Sequence, residues 1–213
     1  MTSSDHGLPY DPAIAVRHLC SCQHMAAAIA RVGPCRLEAN RGLTLYASLM
    51  RSIVYQQLSG RAAGAIWRKV RTLFPSHVPR PMQAEKLTYG ELRSAGLSNA
   101  KALAIQDLTA KTLDGTLPSR RRLNGMDDEA VIDALTQVRG VGRWTAEMIL
   151  LFHLGRPDVF PIGDLGVRKG ISLVYGSGRV LEPEELEPFG DLWRPYRSVG
   201  SWYMWRVLDV ETP

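Results

Sequence analysis

Gly140-Val141-Gly142 lies between two stretches whose apolar residues recur at helical spacing, and this constrains the chain more than any other feature. The first stretch opens at Met126-Asp127-Asp128-Glu129, with Asp127 as N-cap, and runs to about Val138; the second runs from about Trp144 to His153. Glycine tolerates positive φ and close backbone approach, so a tight hairpin between two helices is expected. Such a turn points N–H groups outward at a helix N-terminus, where they and the helix dipole favour an anion. Val141 would lock the turn by packing, and Arg143 would add a charge-assisted contact. A helix–helix turn without a ligand stays open at this level. A dinucleotide-binding loop is disfavoured, because the glycines follow a helical segment and a third glycine is absent. A P-loop is excluded, since no Gly-Lys-Ser/Thr follows.

The rest of the chain also reads as helix. Periodic segments span Asp11 to about Val32, Leu45 to Leu73 with a break near Gly60, Thr88 to Ala95, Asn99 to Asp114, Asp164 to about Tyr175 and Arg197 to about Val207. Candidate strands are few and short, so an all-α protein is expected. Residues 1–10 read as a loose tail, 75–86 as a linker loop, Leu117 to Gly125 as a polar basic stretch and Glu184-Glu185 as the start of a small helix. A chain of 213 residues, 45% hydrophobic, can bury a core as one large domain or two lobes. The net charge of +5 fits a nucleic-acid partner without establishing one. Arginine outnumbers lysine 21 to 5, through genome composition or a need for planar phosphate contacts. The run Arg120-Arg121-Arg122 is either a solvated surface loop or a salt-dependent DNA contact. Three cysteines, Cys20, Cys22 and Cys35, argue against a disulfide framework and exclude a four-cysteine iron–sulfur cluster. Neither a signal peptide nor a transmembrane run is evident, which points to an intracellular protein: cytoplasmic in a bacterium, nuclear in a eukaryote.

Five blocks in order make the reading specific. They are Ser52-Ile53-Val54-Tyr55-Gln56-Gln57-Leu58-Ser59, Leu92 to Ala102, Leu135 to Ala146, Asp158 to Arg168, and Trp193 to Trp205. Together they resemble the helix-hairpin-helix DNA glycosylase superfamily, nearest to its alkylation-repair branch, 3-methyladenine DNA glycosylase II. The resemblance implies a two-lobed helical fold with DNA in the cleft between lobes and no added β-rich domain. Residues 11–40 would pack with the C-terminal lobe, 41–155 would form the lobe bearing the hairpin, and 156–213 would complete the second lobe. It implies a monofunctional glycosylase that hydrolyses the N-glycosidic bond of alkylated purines (3-methyladenine, 7-methylguanine and related lesions) in duplex DNA and leaves an abasic site. The alternatives are a glycosylase for another damaged base and a non-catalytic DNA-binding module.

By the same resemblance, Asp164 is the catalytic carboxylate, stabilising the oxocarbenium-like sugar and orienting or deprotonating water; read locally, it is an ordinary N-cap. Gln57 is the wedge that fills the vacated stack, with Gln56 beside it; read alone, both are surface amides. Gly140, Val141, Gly142, Arg143 and Thr145 complete the DNA-binding set. Strand-cleaving relatives carry a Schiff-base lysine where this chain has Trp144, which cannot form one. Tyr55, Trp144 and Trp202 are expected to line the base pocket, holding a cationic purine by stacking and cation–π attraction. The carbonyls of Thr136, Val138 and Val141 would hold a bracing Na⁺ or K⁺; no other cofactor is expected. The expected partner is damaged double-stranded DNA, bound by a monomer.

Overall fold

A computed structural model describes residues 7–40 and 42–211. Within them all regular structure is helical, and the chain divides into two compact units. The central unit spans Asn40–Ile149, and the terminal unit combines the chain up to Ala39 with Leu150 onward.

The central unit is built around α3 (Leu45–Tyr55). Its residues are apolar on nearly every face, as a helix enclosed by others must be. Leu49, Met50, Ile53 and Val54 are fully buried, each contributing about 1.5–3 kcal/mol relative to exposure. Around α3 pack α4 (Gly60–Thr72), α7 (Asn99–Leu113) and α10 (Arg143–Ile149), and α9 (Asp128–Thr136) packs on α10. The short helices α5 (Pro81–Ala84) and α6 (Tyr89–Ser94) lie on α7. Helix starts follow local chemistry: Thr44, Ser59, Ser98, Ser119 and Asp127 each accept an N–H of the first turn, and Thr88 forms a capping box with Glu91. Deep in the unit, the Tyr46 hydroxyl meets Thr109 Oγ1 at 2.7 Å and ties the start of α3 to the end of α7.

The terminal unit contains α1 (Pro12–Leu19), α2 (Gln23–Val32), a π-helical stretch at Leu150–Leu154, α11 (Leu165–Tyr175), α12 (Glu187–Trp193) and α13 (Arg197–Glu211). Helices α11 and α13 cross most closely, and α1 and α2 pack on α13. Two glycines make the α11–α13 approach possible. A Cβ on Gly170 would overlap the Met204 backbone, and one on Gly166 would stand 2.7 Å from Trp205 Cδ1.

Several local expectations change. The break after α3 falls at Gln56–Ser59, and Gly60 is the first residue of α4, because Ser59 caps that helix. The arginine run is not loop: Ser119 caps α8 (Arg120–Asn124). The small helix expected to start at Glu184-Glu185 is a single 3-10 turn at Pro183–Glu185 followed by α12; Pro188 sits in the first turn of α12, and Gly190 faces Phe160, which a Cβ would strike. The boundary expected after residue 155 falls between Ile149 and Leu150, where α-helical hydrogen bonding gives way to the π-helical stretch. Of the expected tail, residues 1–6 lie outside the described residues, while Leu8 and Tyr10 pack against the terminal core. Among the described residues no helix is long and apolar enough to cross a membrane.

Candidate functional site

The hairpin joins α9 to α10 in a turn closed by the Val141 N–H donating to the Val138 carbonyl at 3.0 Å. Gly140 takes φ 74°, and Val141 is 4% exposed, so it anchors the turn from below while Gly140 and Gly142 stay at the surface. A Cβ on Gly142 would meet nothing within 4 Å, which leaves its backbone open to close approach. Helix α7 staples the turn from the other side. Lys111 Nζ donates to the Gln137 carbonyl at 2.5 Å and pairs with Asp107, whose Oδ2 accepts the Arg139 N–H at 2.7 Å. Burial raises the Asp107 pKa, but the Arg139 amide and Lys111 outweigh it and hold the carboxyl below its usual range.

Gln56 and Gln57 leave the end of α3 together and divide their roles. Gln56 Nε2 donates to the Gly140 carbonyl at 2.9 Å and to Thr145 Oγ1 at 3.1 Å, so the loop after α3 is bonded to the hairpin. Gln57 takes φ 54°, a left-handed conformation uncommon for a side chain of this type. The Lys101 ammonium holds the loop from behind, donating to the Val54 and Gln56 carbonyls at 2.8 Å each, and burial pushes its pKa down. A concavity of about 660 Å³ opens here, lined by Tyr55, Gln56, Gln57, Gly140, Trp144 and Thr145, with Leu58 at its side. Six of the residues singled out in the sequence thus meet in one place. Trp144 is 45% exposed there, while Thr145 is 3% exposed and engaged by Gln56.

Arg143 departs from expectation. Its guanidinium grips Glu129 with two bonds and reaches Glu147 at 3.2 Å, so it ties α10 to α9. A carboxylate fork of this kind matches the donors a phosphate would use.

In the terminal unit, Asp164 caps α11: its Oδ1 accepts the Val167 N–H at 2.9 Å and the Trp205 Nε1–H at 2.8 Å. The Trp205 indole in turn stacks on Phe152, with centroids 5.7 Å apart. The aromatic side chain on the carboxylate is therefore Trp205. Trp202 instead stands edge-on to Tyr203 at 5.0 Å, with Arg206 5.9 Å from its ring. The segment before Asp164 is fixed by Asp158, which accepts from Arg197 at 2.8 Å and from Arg194 at 3.1 Å. Trp202 and Trp205 sit one helical turn apart on α13, and Gly166, two residues after Asp164, was the signal that something large approaches there.

The family described as HhH-GPD superfamily base excision DNA repair protein matches residues 50–195, from α3 to the end of α12. DNA-3-methyladenine glycosylase 1 of Schizosaccharomyces pombe is 29% identical over 166 residues, 78% of this chain and 73% of its own length. A solved structure of the Schizosaccharomyces pombe 3-methyladenine DNA glycosylase in complex with abasic DNA superposes with a TM-score of 0.81 at 27% identity, covering 90% of this chain and 95% of that one. The DNA-3-methyladenine glycosidase of Bacillus halodurans superposes with a TM-score of 0.82 at 32% identity, covering 95% and 90%.

Proposed function

Because the chain belongs to the HhH-GPD superfamily of base excision DNA repair proteins, we propose that it is a monofunctional glycosylase that releases alkylated purines from duplex DNA. Its substrates are 3-methyladenine, 7-methylguanine and related lesions, and its product is an abasic site. The observation that carries this reading is the Asp164 carboxylate, held by the Val167 amide and the Trp205 indole on one oxygen. A carboxylate so fixed supplies a preorganised negative charge for a sugar that turns cationic at C1′.

The chemistry follows from that charge. The C1′–N bond breaks and its electron pair leaves with the purine, which an alkyl group has already made cationic and hence a good leaving group. A water oxygen bonds to C1′, and its proton passes to Asp164 or to solvent. No separate general acid is needed for a cationic base. Gln57, exposed on the loop and lining the concavity, fills the gap left by the everted nucleotide. The backbone around Gly140 and Gly142 anchors a phosphate without reading sequence. The Arg139 amide is spent on Asp107, so the anchor is narrower than the whole turn, and Arg143, paired with Glu129 at the surface, would meet a phosphate by exchanging that partner. The neutral carbonyls of Thr136, Val138 and Val141 suit a monovalent cation. That ion would brace a turn that Lys111 already steadies, and no step passes through it.

Asp164→Asn is the decisive test. Release of 3-methyladenine from alkylated duplex DNA should fall by about a hundredfold or more, with DNA binding retained. Unchanged release would remove Asp164 from the reaction, and absent release in both forms would leave a DNA-binding module. With Trp144 in place of a lysine, borohydride should trap no enzyme–DNA adduct; an adduct would refute the monofunctional reading. Duplexes carrying defined alkylated, deaminated or oxidised bases settle the lesion class.

A further inference from the structure

The central unit carries a second concavity, of about 810 Å³, at the opposite end of the α3–α7 pair from Gln57. Thr44, Leu45 and Tyr46 at the start of α3 line it, as does Thr112 at the end of α7. The 11 residues of α3 place it roughly 16 Å along the helix from the loop that the proposed reaction uses. We propose that this cavity docks a partner protein through a short acidic segment carrying a bulky apolar side chain.

Three features argue for that occupant. First, Arg80, Arg120 and Arg122 line the cavity and no carboxylate is among its described lining residues, so the charged groups of the wall are all cationic. Second, Pro79, Pro81 and Pro118 form part of it. Proline fixes φ, so these stretches of wall are stiffened before anything binds, which lowers the ordering cost of docking. Third, Leu43, Leu45 and Leu117 are in the lining, so part of the wall is apolar. A DNA backbone could satisfy the arginines but has no apolar group to place on the leucines. An acidic peptide with one Leu, Ile or Phe satisfies both. The chain's own acidic stretch, Glu182–Glu187, is a poor candidate in a second copy: Glu182 pairs with Arg168, Glu185 with Arg179, and Leu186 is fully buried.

A random dodecapeptide library panned against the immobilised full chain tests this. Enriched sequences should combine Asp or Glu with a bulky apolar residue. A labelled enriched peptide should bind in a saturable, salt-sensitive way by fluorescence anisotropy. The charge-reversed variant Arg80→Glu should weaken it about tenfold or more, while releasing methylated purine at the wild-type rate, which also shows that the variant is folded. Enrichment without acidic residues, or binding indifferent to the charge reversal, would overturn it. Displacement of the peptide by undamaged duplex DNA would assign the cavity to nucleic acid instead. Concentration-dependent self-association abolished by the same variant would assign it to a second copy of the chain.

Discussion

Asp164 does two jobs with one carboxylate. It ends the Phe160–Gly163 connector by capping α11, and it holds the Trp205 indole. The capping role alone would make it unremarkable, since aspartate is a common N-cap. The indole bond sets it apart, because it adds a second donor to the oxygen that already accepts the Val167 N–H. Trp205→Phe keeps an aromatic ring against Phe152 and removes only the donor. A hydrogen bond to a charged group is worth about 1.5–3 kcal/mol, so kcat for base release should fall roughly tenfold or more with KM little changed. A change confined to KM would show that Trp205 binds and does not orient. Trp202→Phe, by contrast, should leave release nearly intact, since its ring packs on Tyr203 and not on the carboxylate.

The hairpin owes its shape to partners on other elements. Its glycines permit the turn, but Asp107 and Lys111 on α7 and Gln56 after α3 hold it. Asp107 has a pKa below its unfolded value, so its contribution is full at pH above the ordinary carboxylate pKa. That contribution disappears as pH falls through the lower, folded value. Thermal melts across the acid range should therefore show the wild type losing more stability than Asp107→Asn, with the variant the weaker at neutral pH. Parallel curves would remove the staple from the account. The same elements show what the sequence discloses. The Asp127 cap, the two helices and the glycines were legible because each is a local signal. The Glu129 grip on Arg143 was not, because it spans the turn and depends on how α9 and α10 pack. That Trp205 meets Asp164 depends on where α13 crosses α11, which no local pattern states.

At the scale of the whole molecule, the terminal unit rests on a few close approaches at glycine. In the terminal unit the α11–α13 crossing leaves no room for a Cβ at position 170, where the Met204 backbone lies. Gly170→Ala should cost about 1–3 kcal/mol, lowering Tm by roughly 5 °C, as differential scanning calorimetry would read. No loss would mean that the helices separate at little expense. An all-helical chain was legible from periodicity, whereas the change of unit between Ile149 and Leu150 was not, since no glycine or proline marks it.

The bond from Gln56 to the Gly140 carbonyl has a mechanical consequence. It ties the loop that carries Gln57, the proposed wedge, to the turn proposed to anchor a phosphate, so the two would act as one caliper. On that proposal the spacing between the plugged base step and the anchored phosphate would be set before DNA arrives. On the proposed function such a tool would gauge the duplex against a fixed span, and a helix that can be stretched to fit, as around a weakly stacked damaged base, would pass where an intact one resists.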